Sequence, residues 1–548
     1  MNTKALTYLL ALLNLLSMKS YAQNLTTLQG SSHTYESPSV KLIDLNPGFG
    51  SEYILQFKGT RSYHLSMAEN RFMRMTDYGK IHIVDLAKPD SNERCEELER
   101  AETIQAKVAR SNTAPYISAC KGQVFIRNKT NGYQSRVEWG SSLLRDNFGD
   151  LGEKIVDSVK VLRPDQGAVA EVSNRGSLRV GQSDLVFLPA KLSPQYQNAS
   201  VQRGDLGIQT KDAPSGSLVP GQWYQAKNFS DFAVSVVSAS MVDEAILKSH
   251  QDRVGNFDGV EEKNLVYLVA WQTQRFGLGW VHGTQHPGVE WSPRAVNIEK
   301  GNLLGPDGID KLEPFIASGA VRPDLVPITI ATFSGGFQRR HGAFKMGDLS
   351  KMNNAHHYGF IEEGVILSRL QPSLATFTVD NNGFVDLRTW RSGLADESSL
   401  RFARQNGVPL IEGGTGSTVG TPGRLVKFWG PGNWSGSADA KLRTPRAAAC
   451  IVRDGTNSYL IYAYFSSATP NSMARVFQAY QCDDAIHLDM NSAGQSYFSL
   501  FKQIKDMNFQ IEHLVKEMAT VDSNVNGRMT PRYLIKSDYR DFFYLREK

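Results

Sequence analysis

From about residue 230 onward the chain breaks into short apolar runs closed off by turn residues, and this spacing constrains the fold more than any other feature. Val234-Ser235-Val236-Val237 and Leu265-Val266-Tyr267-Leu268-Val269 are too short for stable helices and rich in β-branched and aromatic residues, so they read as strands. Asn381-Asn382-Gly383 and Arg453-Asp454-Gly455 each lie between two such runs and predict hairpins, one of them joining Thr376–Val379 to Phe384–Leu387. One segment has helical period. Thr469 can cap, Pro470 suits the first turn, and Met473, Val476, Phe477 and Tyr480 fall on one face. The strand Ala485-Ile486-His487-Leu488 follows. The texture predicts an α+β fold: a mixed β-sheet core with packed helices in the C-terminal half, preceded by a smaller mixed or β-rich N-terminal region.

The start of the chain has a different character. Lys4 precedes an apolar run from Leu6 to Leu16, and Ser20-Tyr21-Ala22 places small residues where a signal peptidase cuts. The run is short of the ~20 apolar residues that span a bilayer. Residues 1–22 therefore read as a signal peptide, which predicts a secreted or periplasmic protein with no transmembrane anchor once it is cleaved. Residues 23–161 form a mixed region, with strands at Tyr53–Phe57, Ile81–Val84 and Gln123–Ile126 and an amphipathic helix over 92–108. Residues 162–229 are richer in Gly, Ser, Gln and Pro and read as a linker or small β-module. The main domain spans 230–510, and 511–548 is set apart as a C-terminal extension.

Lys and Arg total 60 against 55 Asp and Glu, both signs interspersed, so no basic stripe for nucleic acid is present. Four cysteines do not make a disulfide scaffold, but export permits bonds. Of the three possible connectivities, the simplest pairs Cys95 with Cys120 and Cys450 with Cys482. No C-x-x-C occurs and no His sits at ligand spacing from a Cys, so no zinc site is expected, and no cofactor motif is found.

Four patches in the C-terminal half carry chemistry. Ser334-Gly335-Gly336-Phe337 follows an apolar strand, and its glycines allow close approach to backbone amides. Leu410-Ile411-Glu412-Gly413-Gly414 sets an acid beside glycines. Arg443-Thr444-Pro445-Arg446 opens a strand of small residues, Ala447-Ala448-Ala449. His487-Leu488-Asp489-Met490-Asn491 ends a strand in an acid and a polar loop.

The order of these patches resembles the phosphodiester glycosidase family, over roughly residues 260–505. The family's Asn-Gly-Gly-Phe is matched by Ser334–Phe337, its Asp-Gly hairpin by Gly359–Gly364, and its Pro-Leu segment by Pro409-Leu410-Ile411. Its Arg-Thr-Ala strand and Asp-Gly turn are matched by Arg446-Ala447-Ala448 and Asp454-Gly455. Its closing Leu-Asp-Gly-Gly is matched by Leu488-Asp489-Met490-Asn491. Ser334 stands where the family has Asn, and Met490 and Asn491 stand where it has glycines. Trp280–Pro287 looks like the loop that opens the domain.

The resemblance implies hydrolysis of a glycosyl phosphodiester. A phosphodiester is a permanent anion, which Arg446 could meet with its planar fork and Gly335 and Gly336 with their amides. Asp489 is the first choice for the carboxylate and Glu412 the second. Ser334, Asn491, His282 and His286 are assigned to the pocket lining. His487 shares a strand face with Asp489 and is either a proton carrier or a structural histidine. A metal pair at His282 and His286 would need a helix, which Gly283 and Pro287 discourage. Two rival readings are a non-catalytic glycan-binding or envelope-interaction protein on the same fold and a hydrolase that breaks P–O instead. The expected partner is a carbohydrate or glycosyl phosphate.

Overall fold

The computed structural model describes residues 24–136, 138–140, 143–144, 172–174, 187–285, 291, 309–338, 344, 350, 359–430, 433 and 443–548, apart from 60, 112, 213–215, 392–395 and 506–507. The signal peptide assigned to 1–22 lies outside these residues.

The body is built on an eight-stranded antiparallel sheet. Its order is Tyr224–Gln225, Phe232–Ser238, Leu265–Gln272, Asn457–Ala468, Thr444–Asp454, Asp484–Met490, Ile411–Glu412 and Thr421–Pro422. The central hairpin, Thr444–Asp454 with Asn457–Ala468, turns through Gly455, whose φ of 58° suits a residue without Cβ. Ser458–Ser466 is buried on both faces, which explains its unbroken Tyr, Leu, Ile and Phe content. A five-stranded sheet covers one face, in the order Phe276–Val281, Phe542–Glu547, Thr329–Ser334, Phe498–Lys505 and Asn508–His513. Phe333 joins the two layers, with ring centroids 5.5 Å from Tyr462 and 5.9 Å from Trp271 on one side and 5.1 Å from Phe543 on the other. A second five-stranded sheet contains the predicted hairpin, Ala375–Asp380 with Val385–Thr389. The segment beyond 510 supplies Phe542–Glu547, a strand paired on both edges within its sheet.

The expected α+β class does not hold. The fold is mostly antiparallel sheet, and among the described residues beyond 230 only Glu244–Lys248 and Pro470–Ala479 are α-helical. The reason is local. Only 469–480 repeats its apolar residues at helical spacing, and there the helix forms with a Thr469/Ser472 capping box and Pro470 in its first turn. The other runs are β-branched, aromatic and turn-bounded, and they pair as strands. The helix expected over 92–108 is also shorter. Lys88–Arg94 pairs in a sheet with Ile81–Asp85, and the helix is Ala101–Arg110, packed through Ile104.

Both cysteine pairs meet. Cα atoms are 5.5 Å apart for Cys95 and Cys120, and 5.9 Å apart for Cys450 and Cys482. Such bonds persist in oxidising compartments. No helix among the described residues is long and apolar enough to cross a membrane.

The N-terminal region forms a six-stranded antiparallel sheet, from His33–Glu36 to Tyr116–Ala119, with its own core. It docks on the body through apolar residues that join the body's core, among them Ile43, Leu45 and Ile54, and through polar contacts: Asn46 donates to the Gly364 carbonyl (2.6 Å), and Ser51 to that of Glu363 (2.9 Å). At the centre of the junction, Arg127 bridges Glu52 (3.0 Å) and Glu362 (2.9 Å), all three buried. Burial pushes the Glu52 carboxyl up, but Arg127 and His64 together hold it down at about 2. For Glu362 burial prevails over the pull of Arg127, with Glu52 adding repulsion, and its carboxyl rises to about 7. A raised acid holds its proton in the folded chain and loses it in the unfolded one. Its contribution therefore falls as pH climbs from about 4.5 to 7, by on the order of 3 kcal/mol. Glu362→Gln is expected to lose this slope, gaining on wild type as pH rises through that window. Urea denaturation at pH 4.5, 6 and 7.5 checks it, and parallel wild-type and variant stabilities would refute it.

Candidate functional site

Asp489 lies near the end of the strand Asp484–Met490, and Arg446 near the start of its antiparallel neighbour, so both fall at one edge of the sheet. Arg446 is the cross-strand partner of Met490. Its guanidinium is buried, donating to the Ala468 carbonyl at 2.7 Å and to the Met490 sulfur at 3.2 Å, and it lies 5.8 Å from the centre of the Trp429 ring. The Asp489 side chain is ion-paired to Arg540 and accepts from the Met490 amide at 2.9 Å. Burial raises its carboxyl to about 6 against the opposing charge of Arg540. His487 is fully buried, edge-on to Phe337 at 4.7 Å. Burial, and then the charge of Arg446, push its pKa well below the usual histidine range, so the ring is neutral.

Ser334-Gly335-Gly336-Phe337 runs beside this strand end. The Gly335 carbonyl accepts from the Asp489 amide at 3.0 Å. Ser334 Oγ accepts from the Tyr497 amide at 2.8 Å. Phe337 donates its amide to Asn406 Oδ1 (2.9 Å), and Asn406 donates to the His487 carbonyl (2.5 Å). The amides expected to receive a phosphate are engaged within the chain. Gly335 N donates to the Asp541 carbonyl (3.0 Å), and Gly336 N to the Asp541 carboxylate (3.3 Å). A Cβ on Gly335 would lie 2.2 Å from that carboxylate, and one on Gly336 would lie 2.5 Å from Arg404 Nη2. The two glycines are therefore required by close approach of protein groups. Asp541 also accepts from Trp280 Nε1 (2.9 Å) and Arg404 Nε (2.6 Å).

Asn491 adopts φ 92° and donates its amide to the Pro445 carbonyl at 2.8 Å, which closes the loop after Asp489. His282 is buried and donates its amide to Glu362 at 2.9 Å, between the Trp280 and Phe315 rings. His286 lies outside the described residues. Glu412 does not join the group. Ile411 pairs with Ala485, so Glu412 stands opposite Asp484, about 16 Å along the strand from Asp489 at ~3.3 Å per residue. Among the described residues, no group of three or more His, Cys, Asp or Glu could hold a metal ion.

Sequence reasoning missed Arg540, Asp541, Arg404, Asn406 and Glu138. Glu138 lies within 3.1 Å of Arg532 and 3.5 Å of Arg540, so the N-terminal region contributes a buried carboxylate to the charge network that holds Asp489. The signal available was Asp538-Tyr539-Arg540-Asp541, alternating charges just ahead of the apolar run Phe542–Leu545.

No family model matches this chain, and no curated protein matches it. Among solved structures, the catalytic domain of zebrafish N-acetylglucosamine-1-phosphodiester alpha-N-acetylglucosaminidase, auto-inhibited by its pro-peptide, aligns over 69% of this chain and all of its own, at 10% identity and a TM-score of 0.28. A hypothetical protein from Synechocystis aligns over 94% of this chain and 96% of its own, at 8% identity and a TM-score of 0.25. Likeness at this level is slight.

Proposed function

We propose that this chain is an exported hydrolase that cleaves a glycosyl phosphodiester by glycosidase chemistry at the Asp489 edge of the large sheet. One observation carries the reading. A buried carboxylate at about 6, ion-paired to Arg540, lies beside the Ser334–Phe337 segment and Arg446, in the order that the motif resemblance implies. At neutral pH Asp489 is largely ionised and can take a proton from water. The water oxygen then joins the sugar C1, the C1–O bond breaks, and the electron pair leaves on the phosphomonoester. With a second pKa of ~6, that group departs without strong acid assistance. Arg446 supplies positive charge for the diester. The two disulfides suit an exported chain.

A second reading, a glycan-binding protein without turnover, is favoured by the Asp541 carboxylate, which takes the Gly336 amide that a ligand anion would otherwise receive. The experiment is a panel of sugar 1-phosphodiesters in ¹⁸O-labelled water. Label in the sugar is the expected result. Label in the phosphate would replace C–O by P–O cleavage, and binding without turnover would move the second reading ahead.

A further inference from the structure

At the opposite end of the strand from Asp489, Glu412 lines a separate cleft of about 320 Å³. That volume falls at the lower end of small-ligand sites, ~300–1,000 Å³. Three arginines line it. Arg253 is fixed by donating to Thr421 Oγ1 (3.2 Å) and the Pro422 carbonyl (3.3 Å). Arg391 and Arg424 are exposed, and among the described residues neither guanidinium meets a carboxylate. The buried Trp390 forms part of the wall, held by its backbone between Ser373 and Leu374.

The single acid in the cleft decides the ligand class. Glu412 is anchored by neutral donors, the Arg424 amide at 3.2 Å and the Thr389 hydroxyl at 3.5 Å. Its carboxylate is half-buried and can accept further hydrogen bonds. A simple anion would gain from the arginines and be repelled by Glu412. A neutral sugar would satisfy Glu412 and leave the guanidinium forks unmatched. A ligand carrying both hydroxyl donors and an anionic group uses every element. We infer that this cleft is a binding site for an acidic saccharide, bound by its carboxylate or phosphate to Arg391 and Arg424 and by its hydroxyls to Glu412. The site is independent of the activity proposed for Asp489.

Calorimetry on the full mature chain at low salt tests this with four probes: trigalacturonate, α-glucose 1-phosphate, maltotriose and inorganic phosphate. At least one of the first two is expected to bind at least tenfold more tightly than both maltotriose and inorganic phosphate, and which one it is identifies the anionic group. Arg391→Ala with Arg424→Ala changes two exposed side chains and should weaken that binding at least tenfold. Glu412→Gln should narrow the preference over inorganic phosphate, because it removes the repulsion. Failure of both acidic probes to exceed both controls overturns the inference, as does affinity unchanged in the double arginine variant. Asp489→Asn is expected to leave the affinity unchanged, and a loss there would assign the binding to the Asp489 site instead.

Discussion

Asp541→Ala is expected to destabilise the protein by about 3–5 kcal/mol, the range for removing one partner of a buried ion pair. Asp541 and Arg404 are fully buried, and their Oδ2–Nε separation is 2.6 Å. Without the carboxylate, Arg404 keeps its bonds to the Phe337 and Gln405 carbonyls but loses its countercharge. The Trp280 indole and the Gly336 amide each lose an acceptor in a region closed to water. Replacing both members, Asp541→Leu with Arg404→Met, removes the stranded charge and should recover part of the loss. Urea denaturation of wild type, single and double variants measures this. A single variant within 1 kcal/mol of wild type would mean that Asp541 does not anchor the glycine pair.

That anchor shows where local reading of the sequence stops. The hairpins at Gly383 and Gly455, the capped helix at Pro470 and the cysteine pairs are set by neighbours in the chain or by a simple pairing rule, and all were legible. Gly335-Gly336 was recognised as a point of close approach, but the approaching group comes from more than 200 positions away. Nothing in local periodicity tells Phe542–Glu547 to insert between Phe276–Val281 and Thr329–Ser334. Glu412 illustrates a second limit. An acid at a strand end is a useful signal in parallel sheets, where the strand ends that hold ligands face one way. In an antiparallel sheet the ends alternate, so Glu412 and Asp489 fall at opposite edges. The placing of Glu412 with Asp489 fails because antiparallel order is a property of pairing between distant segments, whereas the helices of the α+β expectation fail locally, for want of helical period beyond 469–480.

Asp489→Asn is expected to lower turnover of a glycosyl phosphodiester by ~10²-fold or more, the scale for removing a catalytic base or nucleophile. The substitution keeps the shape and the hydrogen bond from the Met490 amide, and it removes the charge opposite Arg540. Arg540 stays paired near Glu138, whose Oε1 is 3.5 Å from its Nε, so the guanidinium is not left without a counterion. Folding, checked by circular dichroism, should therefore survive. The pH profile separates catalysis from structure. With the carboxyl at about 6, wild-type turnover should rise with pH through that value as the base ionises. The Asn variant should retain a small rate without that limb. Arg446→Lys keeps the charge and loses the fork, and it should weaken the diester more than a neutral aryl glycoside. Near wild-type turnover by Asp489→Asn would remove Asp489 from the mechanism. Glu412, about 16 Å away along the strand, could not take over at the same substrate atom, so the base would have to be sought among the carboxylates that surround Arg540, beginning with Glu138.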